Sequence, residues 1–143
     1  MKVELRAASS HEIPDLMPLL RDLYREDIGP YFTDVLGEYI DSANHIVTVA
    51  ASNVGIVGVL VGSYRLDIDH ECRAGFVDAI VVAEEFRGRG IGKRMLRYFA
   101  QWAQSRQCTV LQVLGARREF FEPRGFRERP AALHQVPIEE LAT

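Results

Sequence analysis

Residues 78–94 read DAIVVAEEFRGRGIGKR and join an apolar strand, a glycine-rich loop and the start of a helix. The segment from Ala79 to Ala83 is apolar at every position, which predicts a strand buried on both faces in the middle of a covered sheet. Glycine at positions 88, 90 and 92 leaves the backbone free of side chains and able to adopt positive φ. The helix that follows has one apolar stripe, formed by Ile91, Met95, Tyr98, Phe99, Trp102 and Ala103.

The position of the glycine loop before a helix predicts an anion-binding site. The first amides of a helix have no partner within the helix, and the helix dipole favours negative charge at that end. Four cations surround the glycines: Arg87, Arg89, Lys93 and Arg94. The chemistry expected of the loop is therefore the binding of a pyrophosphate-like group.

Two familiar phosphate-binding motifs do not fit the spacing of this loop. A Walker P-loop would require Gly at position 87 and Ser or Thr at position 94, where Arg87 and Arg94 stand. A dinucleotide fingerprint starting at Gly88 would require Gly at position 93, which is Lys93. Binding of nucleic-acid phosphates by the arginines stays open, although no aromatic residues are interleaved with them.

The rest of the chain reads as one domain, from residue 1 to residue 143, of the α/β (α+β) class, with a mixed sheet and helices on its faces. Strands are predicted over Val3–Arg6, His45–Ala51, Ile56–Tyr64, Arg73–Val82, Thr109–Leu114 and near Ala132–Val136. Helices are predicted over His11–Arg25, with Ser9 or Ser10 as its cap, and over Tyr31–Ile40, Ile91–Gln104 and Arg117–Glu122.

Composition limits the cellular setting and the partners. The N-terminus lacks the apolar region of a signal peptide, and no apolar run is long enough to span a bilayer. Cys72 and Cys108 have no metal-binding spacing, so neither a zinc site nor a disulfide scaffold is expected, and a reducing cytoplasm is the default. Residues 1–83 carry a net charge of −7 and residues 84–143 a net charge of +4, which suits a cationic and a polyanionic ligand, respectively, although by itself this asymmetry favours chance scatter of solvated surface charge.

At this point the chain resembles the GNAT superfamily of acyl-CoA-dependent N-acyltransferases. The stretch from Arg87 to Gly92 is similar to the Arg/Gln-x-x-Gly-x-Gly/Ala signature of that family, and Asp78–Phe86 looks like its fourth strand and the following turn. Downstream, Phe120–Phe126 resembles the Phe-Tyr-x-x-x-Gly-Phe segment of the family. The order of elements is also similar over nearly the whole chain.

The resemblance implies a sheet that is mostly antiparallel and splayed between strands 4 and 5, with acetyl-CoA as cosubstrate and no metal. Backbone groups of Ile80 and Val82 would pair with the pantetheine arm, and amides of Arg89, Gly90 and Gly92 would hold the pyrophosphate. The cofactor-binding residues implied are Ile80, Val81, Val82, Arg87, Gly88, Arg89, Gly90, Ile91, Gly92, Lys93 and Phe121.

The implied reaction is attack of an amine on the thioester, for which a base must take a proton from the ammonium group. Asp78 occupies the place where relatives carry a carboxylate on strand 4, and it is the catalytic candidate; recognition of the ammonium or pairing with an arginine are the other interpretations. The tyrosine that often protonates the leaving thiolate is replaced by Phe121, and an asparagine frequent in the family is missing at Leu114-Gly115-Ala116. Tyr64 and His70 are alternatives with ordinary structural explanations, so no acid is assigned.

The function expected is transfer of an acetyl group from acetyl-CoA to a primary amine by direct attack in a ternary complex. The alternatives are a CoA-binding module without turnover and, with less support, a basic protein that binds nucleic acid. The expected partner is a small-molecule or peptide amine, and binding to a membrane or to nucleic acid is not expected. A homodimer is possible by analogy with the family. A cationic acceptor is favoured by acidic residues in the regions that build the acceptor site in the family: Glu26, Asp27, Asp34, Glu38, Asp41, Asp67, Asp69 and Glu71.

Overall fold

A single sheet forms the centre of the structure, a computed structural model that describes residues 2–25, 28–114, 118–127 and 134–142. In these residues the sheet has five strands in the spatial order of the chain: β1 (Glu4–Ala7), β2 (His45–Ser52), β3 (Gly55–Asp67), β4 (Cys72–Val82) and β5 (Val110–Val113). The first four strands are antiparallel to their neighbours, and β5 is parallel to β4. The predicted mixed, mostly antiparallel sheet is confirmed.

Helices cover both faces of this sheet, as the sequence predicts. They are α1 (Ile13–Tyr24), α2 (Phe32–Asp41) and α3 (Ile91–Ser105); the short helix α4 (Arg118–Phe121) adds Phe121 to the α3 side, and the short helix α5 (Glu139–Ala142) is exposed. The core on the α1 and α2 face contains Leu16, Leu20, Leu36, Val49, Val59 and Val81. The core on the α3 face contains Leu60, Val77, Ile80, Met95, Phe99 and Phe121. Burial of these apolar surfaces is the main stabilising contribution to the fold.

Phe99 of α3 lies directly over two glycines of the sheet. A Cβ atom placed on Gly62 would lie 2.5 Å from Phe99 Cε1, and one placed on Gly75 would lie 3.3 Å from Phe99 Cε2. The missing side chains let the ring approach the backbone of β3 and β4. The predicted aromatic stripe of the helix is therefore matched by a groove in the sheet, which fixes how α3 sits on β4.

The regular alternation of β4 changes phase at Asp78. Val77 and Ala79 pair with successive residues of β3, which leaves Asp78 as an extra residue in a β-bulge. As a result, Val77 and Ile80, three positions apart, both pack in the core on the α3 face. Ala79 and Val81 pack in the core on the α1 and α2 face.

Glu12 links β1 to the start of α1. Its carboxylate accepts hydrogen bonds from both terminal nitrogens of Arg6, at 2.8 and 2.7 Å, and from the amide of Ser9 at 2.9 Å. These bonds, the two from Arg6 above all, lower the pKa of Glu12 to about 2. The helix begins with a 3-10 turn over Ser10–Glu12, which accounts for the predicted helix start at His11.

Two of the strand predictions differ from the structure by more than one residue at a boundary. β3 continues to Asp67 instead of ending at Tyr64, because its last residues still pair with β4 in a long hairpin. The predicted last strand near Ala132–Val136 lies partly outside the described residues. In its described part, residues 134–136 form no strand, so that portion of the prediction is wrong. These residues are exposed and offer only one apolar side chain before Pro137, too little to hold a strand against the core.

Candidate functional site

The sheet opens between β4 and β5. β5 pairs with only the first half of β4, as far as Val77, and no described strand borders the second half on that side. The amide of Ala83 donates to the Val57 carbonyl of β3 at 2.8 Å. Because backbone groups alternate along a strand, those of Ile80 and Val82 point the other way, into the gap. The gap therefore presents free strand edge of the kind that pairs with an extended ligand.

The glycine loop brings the start of α3 to the same gap. Gly88 and Gly90 have φ of 78° and 80°, the left-handed conformation that side chains disfavour. Gly90 is the N-cap of α3, and the amide of Arg94 donates to its carbonyl at 3.0 Å. The amides of residues 91–93 come before this bond, and no described side chain caps them. Uncapped amides at a helix N-terminus suit an anion, which is the ligand that the sequence predicts for this loop.

The gap and the loop meet in one open pocket of about 250 Å³. Nine residues predicted to bind the cofactor line it: Ile80, Val81, Val82, Arg87, Gly88, Gly90, Ile91, Gly92 and Lys93. Three further residues that the sequence analysis did not select complete the wall: Phe86, Phe120 and Arg124. The pocket thus combines strand edge, helix amides and cations, which suits a long ligand with a charged diphosphate.

The remaining two candidates lie away from this wall. The Arg89 guanidinium stacks 5.1 Å from the Phe86 ring and does not line the pocket. Phe121 is only 7% exposed and packs in the α3 core, with its ring 5.2 Å from that of Phe126. Its neighbour Phe120 lines the pocket instead, and a Cβ atom on Gly92 would lie 3.2 Å from the Phe120 ring.

Arg124 is the functional candidate that sequence reasoning missed most clearly. Its guanidinium stacks 4.0 Å from the Phe120 ring, and its Nη1 donates to the Phe120 carbonyl at 2.6 Å. These contacts hold the cation at the wall of the pocket, close to Lys93. The only signal in the sequence is a basic residue between Pro123 and Gly125, which does not separate it from other surface arginines.

Arg87 has a different environment from that of the other loop cations. Its Nε donates to the carbonyl of Val82 at 2.9 Å, and its Nη2 donates to Asp22 of α1 at 3.0 Å. The side chain therefore fixes the end of β4 to the loop while still lining the pocket. Part of its charge is already compensated by Asp22, although both side chains are exposed and the ion pair contributes little by itself.

Asp78 stands on the α1 and α2 face, beside the end of the β4–β5 pairing. Its side chain is exposed, yet the surrounding protein removes enough water to raise the pKa of its carboxyl above the ordinary value. Tyr39, His45 and Arg65 act in the opposite direction, through a hydrogen bond from Tyr39 and the charges of the other two. The hydroxyl of Tyr24 donates to the backbone carbonyl of Asp78 at 3.2 Å.

Aromatic side chains surround this carboxylate. Tyr24 packs edge to face on Phe32, with ring centroids 5.5 Å apart, and Tyr39 packs on His45 at 4.2 Å. Burial and the neighbouring Asp78 carboxylate raise the pKa of Tyr39 to about 12, so its hydroxyl stays protonated and donates to Asp78. A carboxylate within such a wall is suited to receive an ammonium group, through charge and through cation–π attraction.

The other residues considered for proton transfer lie elsewhere. Tyr64 packs on Trp102 of α3 with centroids 5.7 Å apart, and His70 Nδ1 lies 2.6 Å from Asp67 Oδ2 in the β3–β4 turn. Neither lines the pocket. Gly115 and Ala116, where the family often has an asparagine, lie outside the described residues, as do Glu26 and Asp27 of the acidic set.

Two negative observations concern the described residues alone. None of their helices combines the length and the apolar content needed to cross a bilayer. They also contain no cluster of three or more His, Cys, Asp or Glu side chains that could hold a metal ion.

The chain belongs to the Acetyltransferase (GNAT) family, whose profile matches residues 13–126. This range includes α1, the opening between β4 and β5, and the glycine loop. The family assignment drawn from the loop and the Phe120–Phe126 segment is thus confirmed. No curated protein sequence is significantly similar to this chain.

Several solved structures share the fold. An aminoglycoside N-acetyltransferase in complex with CoA has a TM-score of 0.80 at 16% identity, over 95% of both chains. A ribosomal-protein-alanine N-acetyltransferase from Brucella melitensis biovar Abortus 2308 has a TM-score of 0.76 at 19% identity, over 95% of this chain and 100% of the other. Glucosamine-6-phosphate N-acetyltransferase from Arabidopsis thaliana has a TM-score of 0.77 at 16% identity, over 95% of this chain and 99% of the other.

Proposed function

We propose that this protein is an N-acetyltransferase that moves an acetyl group from acetyl-CoA to a primary amine by direct attack in a ternary complex. The observation that carries this is the meeting, in one pocket, of the free β4 edge and the uncapped amides of α3. A pantetheine arm needs a strand edge, and a diphosphate needs amides and cations. Membership of the GNAT family supports this reading of the pocket.

The residues of the pocket divide into two groups under this proposal. The backbone groups of Ile80 and Val82 would pair with the amides of the pantetheine arm, and an amide near Val82 would polarise the thioester carbonyl. The amides at the start of α3 would hold the diphosphate, with Lys93 and Arg124 adding charge. Acetyl-CoA supplies the activated acyl group, and the chain would position that group beside the free strand edge.

Asp78 would receive the acceptor amine from the opposite side of β4. An alkyl ammonium group has a pKa of about 10.4, so a base must remove a proton before attack. The raised pKa of Asp78 makes its carboxylate a better proton acceptor than an ordinary aspartate. The aromatic wall of Tyr24, Phe32 and Tyr39 would hold the methylene groups next to the amine.

No acid is required for the leaving group in this scheme. Phe121 has no hydroxyl and lies in the core. The pKa of Tyr39, about 12, makes that hydroxyl a weaker acid than a thiol, whose ordinary pKa is about 8.5. A thiolate can leave without protonation at neutral pH, and solvent can protonate it afterwards.

The acceptor is a small-molecule or peptide amine. The solved relatives named above act on an aminoglycoside, a ribosomal protein and glucosamine 6-phosphate, which are chemically diverse. Acidic residues of α2 and the β3–β4 turn, including Asp34, Glu38 and Asp69, favour a cationic acceptor. The cytoplasm, where acetyl-CoA and free thiols coexist, is the expected compartment, and a homodimer is possible by analogy.

A two-stage experiment tests this function. First, acetyl-CoA should raise the midpoint of thermal unfolding in a concentration-dependent manner, whereas unrelated nucleotides should not. Second, a panel of primary amines should release free CoA thiol from acetyl-CoA with at least one member. Absence of the thermal shift, or a shift produced only by oligonucleotides, would exclude the acetyl-CoA site.

One observation favours a second candidate, a CoA-binding module without turnover. The aromatic pair at Phe120 and Phe121 has no hydroxyl where the family often has a tyrosine. A thermal shift with acetyl-CoA, combined with no thiol release for any polyamine, aminoglycoside, amino sugar or peptide amine, would support this candidate and reject the transferase.

A further inference from the structure

Two cysteines that are 36 positions apart in the sequence come together at the end of the sheet where the β4–β5 pairing begins. β4 and β5 are parallel, with Ala74 opposite Val110. If this register continues two residues toward the N-terminus on each side, it places Cys72, the first residue of β4, beside Cys108, which precedes β5. Residues that are opposite each other in adjacent strands direct their side chains to the same face of the sheet.

The backbone pairing between the two segments extends toward the cysteines, past Val110, the first residue of β5. The amide of Thr109 donates to the carbonyl of Arg73 at 3.0 Å, so the backbones are still in contact one residue from each cysteine. The Cys72 thiol is also close enough to affect Cys108: burial raises the pKa of Cys108, and Cys72 acts in the same direction.

The separation of adjacent strands matches the span of a disulfide. Neighbouring strands lie about 4.8 Å apart, and the Cα atoms of bridged cysteines are usually about 4.4–6.8 Å apart. Each cysteine also follows a turn residue with positive φ, Glu71 at 52° and Gln107 at 64°. Both cysteines therefore lie where a turn ends, next to the first residues of β4 and β5.

Both thiols are free in this structure and partly exposed, so a small oxidant can reach them. They lie in a part of the sheet distant from the pocket, at the start of β4, whereas the pocket is at its end. Among the described residues no metal-binding cluster includes them, so metal coordination does not compete for the sulfurs.

We propose that Cys72 and Cys108 form a reversible intramolecular disulfide with small-molecule disulfides as oxidants. One thiolate attacks a disulfide such as oxidised glutathione, forming a mixed disulfide and releasing one molecule of the small thiol. The second cysteine thiolate then attacks the mixed disulfide and releases the second small thiol. Two cysteine protons pass to the two released thiolates, the protein loses two electrons, and the oxidant gains them.

The bond would tie the β3–β4 turn to the connection between α3 and β5. In the reduced protein, β5 pairs with β4 over only four residue pairs. A disulfide at the start of these strands would anchor this short pairing at the end opposite the gap. In a reducing compartment such a bond is transient and reports the redox state, which distinguishes it from the disulfide scaffold that the sequence does not favour.

The test compares wild type with Cys72→Ser and Cys108→Ser, each incubated with oxidised glutathione and analysed by intact mass. Wild type should lose about 2 Da, the mass of two hydrogens, and show no protein thiol to alkylation after denaturation. Each single variant should instead retain one glutathione adduct, because its partner thiol is missing. Dithiothreitol should restore the original mass in all three proteins.

A second measurement reports whether the bond fits the native fold. The oxidised wild type should unfold at a midpoint about 5–15 °C higher than the reduced protein, because the bond constrains a long loop of the unfolded chain. Wild type that accumulates glutathione adducts, forms a disulfide-linked dimer, or stays unreacted would overturn the proposal, as would an oxidised form that unfolds at a lower temperature than the reduced one.

Discussion

The Nε atom of Arg87 donates a 2.9 Å hydrogen bond to the backbone carbonyl of Val82, the last residue of β4. The bond runs across the turn between the strand edge and the glycine loop. It therefore couples the two halves of the pocket, the one suited to a pantetheine arm and the one suited to a diphosphate. A second bond from the same side chain, to Asp22 of α1, supports this orientation from outside the pocket.

Arg87→Met should weaken acetyl-CoA binding about tenfold, since it removes a cation from the pocket wall, and one charged hydrogen bond to the diphosphate would contribute about 1.5 kcal/mol. Methionine keeps much of the apolar stem but cannot hold the Val82 carbonyl. Isothermal titration measures the change. Asp22→Asn is the matched control: it removes only the exposed ion pair and should leave affinity within about twofold. Equal losses in both variants would assign the effect to α1 instead of the strand end.

Gly90→Glu should abolish the rise in unfolding temperature that acetyl-CoA produces. The substitution forces a side chain onto φ 80° and adds negative charge beside the amides of α3. Positive φ alone costs about 1–2 kcal/mol. Gly55→Glu, in a hairpin turn with φ 119°, carries a comparable penalty away from the pocket and should keep the full ligand response. A normal response in Gly90→Glu would remove the glycine loop from the binding site.

Asp78→Asn should lower turnover by about 10²- to 10⁴-fold while leaving the acetyl-CoA thermal shift intact. The loss should be largest between the pKa of Asp78 and that of the amine, where the carboxylate is charged and most of the amine is still protonated. In wild type, kcat/KM should fall as pH decreases through the pKa of Asp78, which lies above the ordinary value for aspartate. Wild-type rates across the pH range would exclude Asp78 as the base.

The raised pKa of Asp78 also determines how this group changes the free energy of unfolding with pH. The folded protein binds the Asp78 proton more tightly than the unfolded chain does, so the stability contributed by this group is present below its unfolded pKa and lost as pH rises through the folded one. At pH 7 the asparagine variant should therefore unfold at the same temperature as wild type or slightly higher. A clear drop would indicate a structural role for the carboxylate.

Tyr39→Phe should move the acidic limb of the kcat/KM profile to higher pH by about half a unit to one unit. The Tyr39 hydroxyl stabilises the charged form of Asp78, so its removal raises the pKa of that carboxyl further. Tyr24→Phe is the matched comparison, since the Tyr24 hydroxyl bonds the backbone carbonyl of Asp78 and not its carboxylate. The limb should stay in place in that variant, and a shift of the same size in both would point to a general packing effect.

Glu12→Gln should destabilise the protein by about 2 kcal/mol at pH 7, because the charged hydrogen bonds from Arg6 become neutral on one side. The folded pKa of Glu12, about 2, lies below the ordinary value of about 4.3. The stabilisation is therefore present above that ordinary value and is lost as pH falls toward 2. Urea unfolding across this range should show the two proteins converging. Glu4→Gln removes an exposed charge on β1, the strand that carries Arg6, and should have little effect.

Sequence reasoning succeeded where a local pattern carries the structure. The stripe of α3, the apolar segment after Asp78 and the glycine triplet are each contained in a few consecutive residues, and each forms the predicted element. The family signature added the opening between β4 and β5. Local pattern failed for the predicted last strand, because its described residues lack enough apolar surface to pack as a strand.

The details of the site depend on contacts that no local pattern encodes. Tyr24 reaches a carbonyl 54 positions away, and nothing in the apolar stripe of α1 marks that tyrosine as different. Phe120 and Phe121 are adjacent and chemically identical, yet one lines the pocket and the other is buried, because consecutive residues of a helix face different directions. Sequence alone does not decide which of the two faces the ligand.

The bulge at Asp78 divides β4 into two halves in which the alternation of side chains between the two sheet faces is opposite. Odd-numbered side chains before it and even-numbered ones after it meet α3, as Val77 and Ile80 show. Deleting one residue here would turn the second half of β4 over and exchange its two apolar faces. The backbone groups of Ile80 and Val82 would then point toward β3 instead of into the gap. The extra residue thus allows one strand to pair with β5 in its first half and to present free backbone groups for a ligand in its second half.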